Sequence, residues 1–156
     1  MKTKLFYLLI IIIAGISLWS LAGDRINDGS NGKKPIVDQK SVVISVNDLK
    51  IQAEIADTPA KRELGLSGRT NLGPNEGLLF IFDQPGQYKF WMKDMDFPID
   101  IIWLDENKKI VDITANLATS TYPNAYTSLL PAKYVLEVNA GYTANNKVNI
   151  GDQTNF

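Results

Sequence analysis

Polar and apolar positions alternate over residues 41–46 and again over residues 49–55, with Asn47-Asp48 between them. Period-two alternation on both sides of a two-residue turn predicts a β-hairpin. Its apolar face carries Val42, Ile44 and Val46 on one strand and Leu49, Ile51, Ala53 and Ile55 on the other. Thr58-Pro59 then opens a short helix. Threonine suits the N-cap, proline the first helical position, and Gly65 or Gly68 a stop. Residues 78–82 are apolar at every position, the mark of a strand covered on both faces. Gln84-Pro85-Gly86-Gln87 fits a type II turn, and residues 87–92 alternate again. There Tyr88, Phe90 and Met92 form one row. Gln87, Lys89, Trp91 and Lys93 form the other. Residues 99–104 read as a central strand. Residues 105–108 turn it into residues 109–114, and residues 134–138 form a further strand. One helical turn over residues 142–146 and a short last strand over residues 148–150 complete the pattern. The expected fold is mainly β, of the α+β kind. It is compact and largely antiparallel, a partly closed sheet with one short helix, preceded by an N-terminal hydrophobic segment.

That N-terminal segment has a different logic. Lys2 and Lys4 precede an uncharged run from Leu5 to Gly23. A short basic region before an apolar core is an export signal. Leu5 to Ala22 gives eighteen residues, more than the usual signal core and enough to span a bilayer. Length favours an uncleaved signal anchor, and cleavage after Ala22 is the alternative. The absence of cysteine excludes a lipoprotein attachment. The positive-inside bias keeps Lys2 and Lys4 in the cytoplasm and puts the rest outside. The expected organisation is residues 1–22 as signal peptide or anchor, 23–40 as a flexible tether of roughly 23 Å r.m.s. reach, and 41–156 as one domain. The expected location is the cell membrane, with the domain extracytoplasmic. Secretion or periplasmic release is the alternative.

Composition then narrows the chemistry. The chain has 156 residues, no cysteine and no histidine. Disulfides, thiolate nucleophiles, zinc–thiolate sites and imidazole bases are therefore excluded. With 16 basic and 17 acidic residues the net charge is −1. A general nucleic-acid partner is not expected, because it calls for a basic surplus. All the acidic residues lie beyond position 23, so the exported part is net acidic. No glycine-rich phosphate loop is present, and no cofactor is implied.

Several strings, taken together, carry a family likeness. They are Gly65-Leu66 with Arg69, Glu76-Gly77-Leu-Leu-Phe-Ile-Phe82, Phe90-Trp91-Met92-Lys93, Pro98-Ile99-Asp100, and Tyr134-Val-Leu-Glu137 with Gly141. Over residues 42–152 the chain resembles a widespread prokaryotic family known only as domain of unknown function 192. The resemblance implies a compact β-rich domain with a short helix, often exported, and it implies no reaction. The chain departs from that family twice. Asp94 and Met95 stand where asparagine and threonine are usual, and Lys108 stands where a turn glycine is usual.

The residues themselves offer four constellations. Trp91 between Lys89 and Lys93 could be a stacking platform for a sugar or aromatic ring, or could be covered by the helix or a loop. Asp94, Asp96, Asp100 and Asp105 have the oxygen chemistry of a hard-cation site, but turn and capping roles fit them better, and no metal site is expected. Asp100 and Glu137 interrupt otherwise apolar strands, so both should be buried and need partners. A buried cluster of Arg69, Lys93, Asp100 and Glu137 is predicted, either as a structural staple or as a polar ligand site. Residues 113–132 carry no charge and include Tyr122 and Tyr126, candidate loop contacts. The expected role is a non-catalytic, membrane-tethered module. It would bind a small polar or glycan-like ligand, or an envelope protein. The alternative is an enzyme using a carboxylate-bound metal or a carboxylate acid–base pair. Candidate ligand-binding residues are Arg69, Trp91, Lys93, Asp100 and Glu137, with no catalytic residue assigned.

Overall fold

A computed structural model describes residues 40–156, so the expected export segment and the expected tether up to residue 39 lie outside the described residues. Seven strands and two short helices follow in chain order: β1 Ser41–Val46, β2 Leu49–Ala56, α1 Pro59–Leu64, β3 Glu76–Gly86, β4 Ile99–Leu104, β5 Ile110–Leu117, β6 Ala132–Asn139, α2 Tyr142–Asn145 and β7 Thr154–Asn155. They form one sheet in the order β5-β4-β6-β3-β2-β1-β7. β2 and β3 pair in parallel, across the connection that contains α1. The other strand pairs are antiparallel.

Each local element follows from its residues. The hairpin turns at Asn47, whose φ of 52° is a left-handed conformation that asparagine tolerates. Thr58 caps α1, its Oγ1 accepting from the Lys61 N–H at 3.3 Å, and Gly65 ends the helix at φ 52°. β4 is buried at all six positions, as its unbroken apolar run predicts. Gly77 is required for close approach. A Cβ there would lie 2.9 Å from the Glu137 carbonyl oxygen on β6.

Ile44 of β1 and Ile110 of β5 stand far apart in the strand order, yet both belong to one buried cluster with Ile51, Leu79, Ile102 and Leu136. The sheet must therefore curl around this cluster. Residues 151–154 bridge the two ends of the curl. β7 pairs with β1, while the Ile110 N–H donates to the Asp152 carbonyl at 2.9 Å and the Thr154 N–H to that of Lys108 at 3.0 Å. The outer face of the sheet carries a second cluster around Phe80, Ile101, Trp103 and Val135. Leu66 and Met92 from the flanking connections cover it.

Three expectations change. The Pro85-Gly86 turn is absorbed into β3, which runs to Gly86 through a register irregularity after Ile81. Residues 87–92 form no strand, and they meet the 118–131 connection through the isolated bridge between Phe90 and Tyr126 and through Gln87 Nε2, which donates to the Ser128 and Leu129 carbonyls at 3.2 Å. Their alternation nonetheless holds, since Met92 is buried and Trp91 is 51% exposed. The final strand is β7 rather than residues 148–150, because Val148 belongs to the inner cluster instead of an edge.

Candidate functional site

The segment after β3 folds back over the outer face and makes an aromatic wall. Tyr88 stacks on Phe82 with ring centroids 3.5 Å apart, and Phe90 meets Phe80 and Trp103 edge-on at 4.8 and 5.2 Å. α1 supplies the opposite wall. Arg62 donates to the carbonyls of Asp57 and Ile81 at 2.9 and 2.8 Å, and its guanidinium lies 5.2 Å from the Phe82 ring centroid. The turn after the helix is tied to the same segment. Ser67 Oγ donates to the Lys93 carbonyl at 2.9 Å, and the Gly68 N–H donates to that of Asp94 at 2.8 Å. Between these walls lies a cleft of about 360 Å³. Its lining includes the aromatic rings, Trp91, Leu64, Leu66, Met95, Arg62, Glu63, Lys89 and Glu137.

Glu137 is the polar group in the depth of this cleft. It lies on β6 between Leu78 of β3 and Ile101 of β4, and only 5% of its surface is exposed. Its Oε2 is buried and has no hydrogen-bond partner. Burial pushes its pKa up from 4.5 to about 8, against a smaller opposing pull from Arg69.

The predicted ionic cluster does not form. Arg69 pairs with Glu54 of β2, Nη1 to Oε1 at 2.8 Å and Nη2 to Oε2, and these bonds raise its pKa. Asp100 is fully buried as its strand predicts, but its partners are not cations. It accepts from the N–H groups of Asn116, Gly141 and Thr143 at 2.8, 3.0 and 2.9 Å, and from Thr143 Oγ1 at 2.7 Å. The reason is strand parity. Asp100 shares the face of Ile102 and Leu104, which belong to the inner cluster, whereas Glu137 lines the cleft on the outer side. Asp100 thus fixes the start of α2.

Of the candidate ligand contacts, Trp91 and Glu137 line one cleft, while Arg69, Lys93 and Asp100 do not. Lys93 is exposed. Tyr122, 49% exposed, and Tyr126, bridged to Phe90, lie outside the cleft lining. Asp105 is a turn residue, its Oδ1 accepting from the N–H groups of Asn107 and Lys109. Among the described residues no cluster of three acidic groups is placed to hold a metal ion. Sequence reasoning overlooked Glu54 and the shared role of Phe80, Phe82, Tyr88 and Phe90. The available signal was four aromatics at alternate positions on two successive extended segments.

Each departure from the family pattern includes a left-handed backbone position, Asp94 at φ 54° and Lys108 at φ 63°. Aspartate tolerates that conformation, as asparagine does. Lysine is strained there, and Lys108 offsets the strain by donating to the Phe156 carbonyl and placing Nζ 4.3 Å from that ring's centroid.

No curated protein matches the chain. It is similar to a crystal structure of a protein of unknown function from Novosphingobium aromaticivorans, with 29% identity, a TM-score of 0.73, and coverage of 79% of this chain and 90% of that one. It is also similar to a Sinorhizobium meliloti crystal structure named for a proposed role as a transcription regulator. That likeness has 27% identity, a TM-score of 0.73, and coverage of 76% of this chain and 95% of that one. Residues 42–156 match DUF192, described as an uncharacterised ACR, and the chain belongs to that family.

Proposed function

We propose that this protein is a membrane-tethered, extracytoplasmic binding module whose cleft takes a small polar ligand of glycan-like character. The observation that carries this reading is the cleft itself, with aromatic walls, half-exposed Trp91 and one buried carboxyl group. Pockets of this size with a few placed polar groups are the usual form of small-molecule sites. A sugar presents an apolar C–H face to an aromatic ring and hydroxyl groups to a carboxyl group, so both features of the cleft are used. The basic residues before the apolar N-terminal run support delivery across the membrane. A reporter active only outside the cytoplasm, fused after Phe156, is expected to be active. Thermal-shift screening of the full chain against neutral sugars and other small polar molecules tests the site, since a ligand of the native state raises the melting temperature. Trp91→Ala should abolish the shift, and an unaltered shift in that variant would move the ligand elsewhere.

A rival reading has its own support. A carboxyl group with a raised pKa in a cleft is also the property of a general acid, and Glu63 lines the same cleft. Turnover of a chromogenic glycoside that disappears in Glu137→Gln would establish catalysis in place of binding.

A further inference from the structure

Among the described residues Glu137 forms no ion pair. On its own sheet its cross-strand neighbours are Leu78 and Ile101. Arg69 exerts a favourable pull on Glu137, but both terminal nitrogens of that guanidinium are bound to Glu54. α1 faces the cleft with Arg62 and Glu63, and the 87–92 segment with Tyr88 and Lys89. Arg62 is held on the carbonyls of Asp57 and Ile81. An unpartnered carboxylate is disfavoured at such a place. A carboxylic acid is tolerated there, and it offers one donor as well as an acceptor.

We propose that Glu137 meets its ligand as a neutral carboxylic acid and therefore selects an uncharged hydroxylated ring, a sugar or cyclic polyol, over an amine. This rests on the binding reading above and adds the ligand's charge and a dependence on pH. A ring hydroxyl in the cleft accepts the carboxyl proton and donates its own to the carboxyl group. An ammonium ion would require the charged carboxylate between Leu78 and Ile101, and would share the cleft with Arg62 and Lys89. The burial that raises the Glu137 pKa to about 8 agrees with the neutral form at neutral pH.

Two measurements on the full chain in phospholipid nanodiscs test this. The first needs no ligand. Infrared spectra at pH 7 should contain a protonated-carboxyl C=O band that disappears in Glu137→Gln and at pH 9.5. Its absence at pH 7 overturns the proposal whatever binds. The second compares a panel of methyl hexopyranosides with the corresponding 2-amino sugars by calorimetry. Neutral sugars should bind at pH 6 and weaken about tenfold per pH unit above 8. Glu137→Gln, which keeps a donor and an acceptor, should bind them equally at both ends of that range, and Glu137→Ala should lose them. Tighter binding of the amino sugars as pH rises would overturn the proposal, as would a neutral carboxyl group with no ring of either kind bound. The broader binding reading falls separately, if none of the other small polar molecules shifts the melting temperature.

Discussion

Asp100 and Glu137 occupy neighbouring positions on paired strands, since Glu137 is opposite Ile101. One residue of offset decides everything about them. Asp100 turns inward and collects four donors, whereas Glu137 turns outward and leaves Oε2 without one. Asp100→Ala should therefore cost about 3 kcal/mol or more in chemical denaturation, because several backbone N–H groups lose a charged acceptor together. A loss below about 1 kcal/mol would mean that water replaces the carboxylate. Glu137 acts in the opposite sense. Between pH 4.5 and about 8 the folded state holds a proton that the unfolded state has released. Its contribution therefore falls as pH rises through that window, by about 4 kcal/mol in all. Glu137→Gln should remove this slope and leave the variant more stable than the parent at pH 8, as read from denaturation midpoints at pH 5 and pH 8. Burial of both carboxyl groups was legible in the sequence, since each interrupts an apolar strand. Their partners were not, because a run such as 99–104 is apolar on both faces and does not tell which face looks into the curl.

At the level of elements, local chemistry was the legible part. The Asn47-Asp48 hairpin, the Thr58 cap and the fully buried β4 all follow from residue type and spacing. Thr58→Ala should cost about 1 kcal/mol in the same denaturation assay, the usual value of an N-cap. α1 buries none of its residues, so its placement comes from polar ties rather than a packed face. Arg62 reaches β3, and Arg69 beyond the helix reaches β2. Pairings between distant segments were less legible. The parallel β2–β3 pair depends on the crossover, and residues 87–92 read as a strand because alternation reports faces and says nothing about neighbours. The cleft was missed for the same reason. Its aromatic residues satisfy a core pattern whether they are covered by protein or line an opening.

For the whole molecule, the decisive contact is the stitch between the ends of the sheet. Lys108 and Phe156 belong to it, and Tyr134 packs edge-on against the Phe156 ring at 5.2 Å. In the parent chain Lys108→Gly exchanges relief of backbone strain for loss of that contact. A Phe156→Ala background removes the ring contact but keeps the bond to the residue-156 carbonyl, so Lys108→Gly should then be more favourable than in the parent chain, approaching the full relief of about 1–2 kcal/mol. Additive losses in that double-mutant cycle would show that the two residues are uncoupled. The stitch also sets a schedule. The bond from Asn47 Nδ2 to Asp152 Oδ2 joins residues 105 apart in sequence. A ribosome that adds about 5–20 residues per second makes β1 roughly 5–20 s before the segment that covers its outer edge. Over that interval the free edge of β1 is an open template for pairing with other chains. Loop closure over such a span places this domain among slow folders. The ring completes after the rest of the sheet, and any machinery that must handle the chain unfolded has those seconds in which to do it.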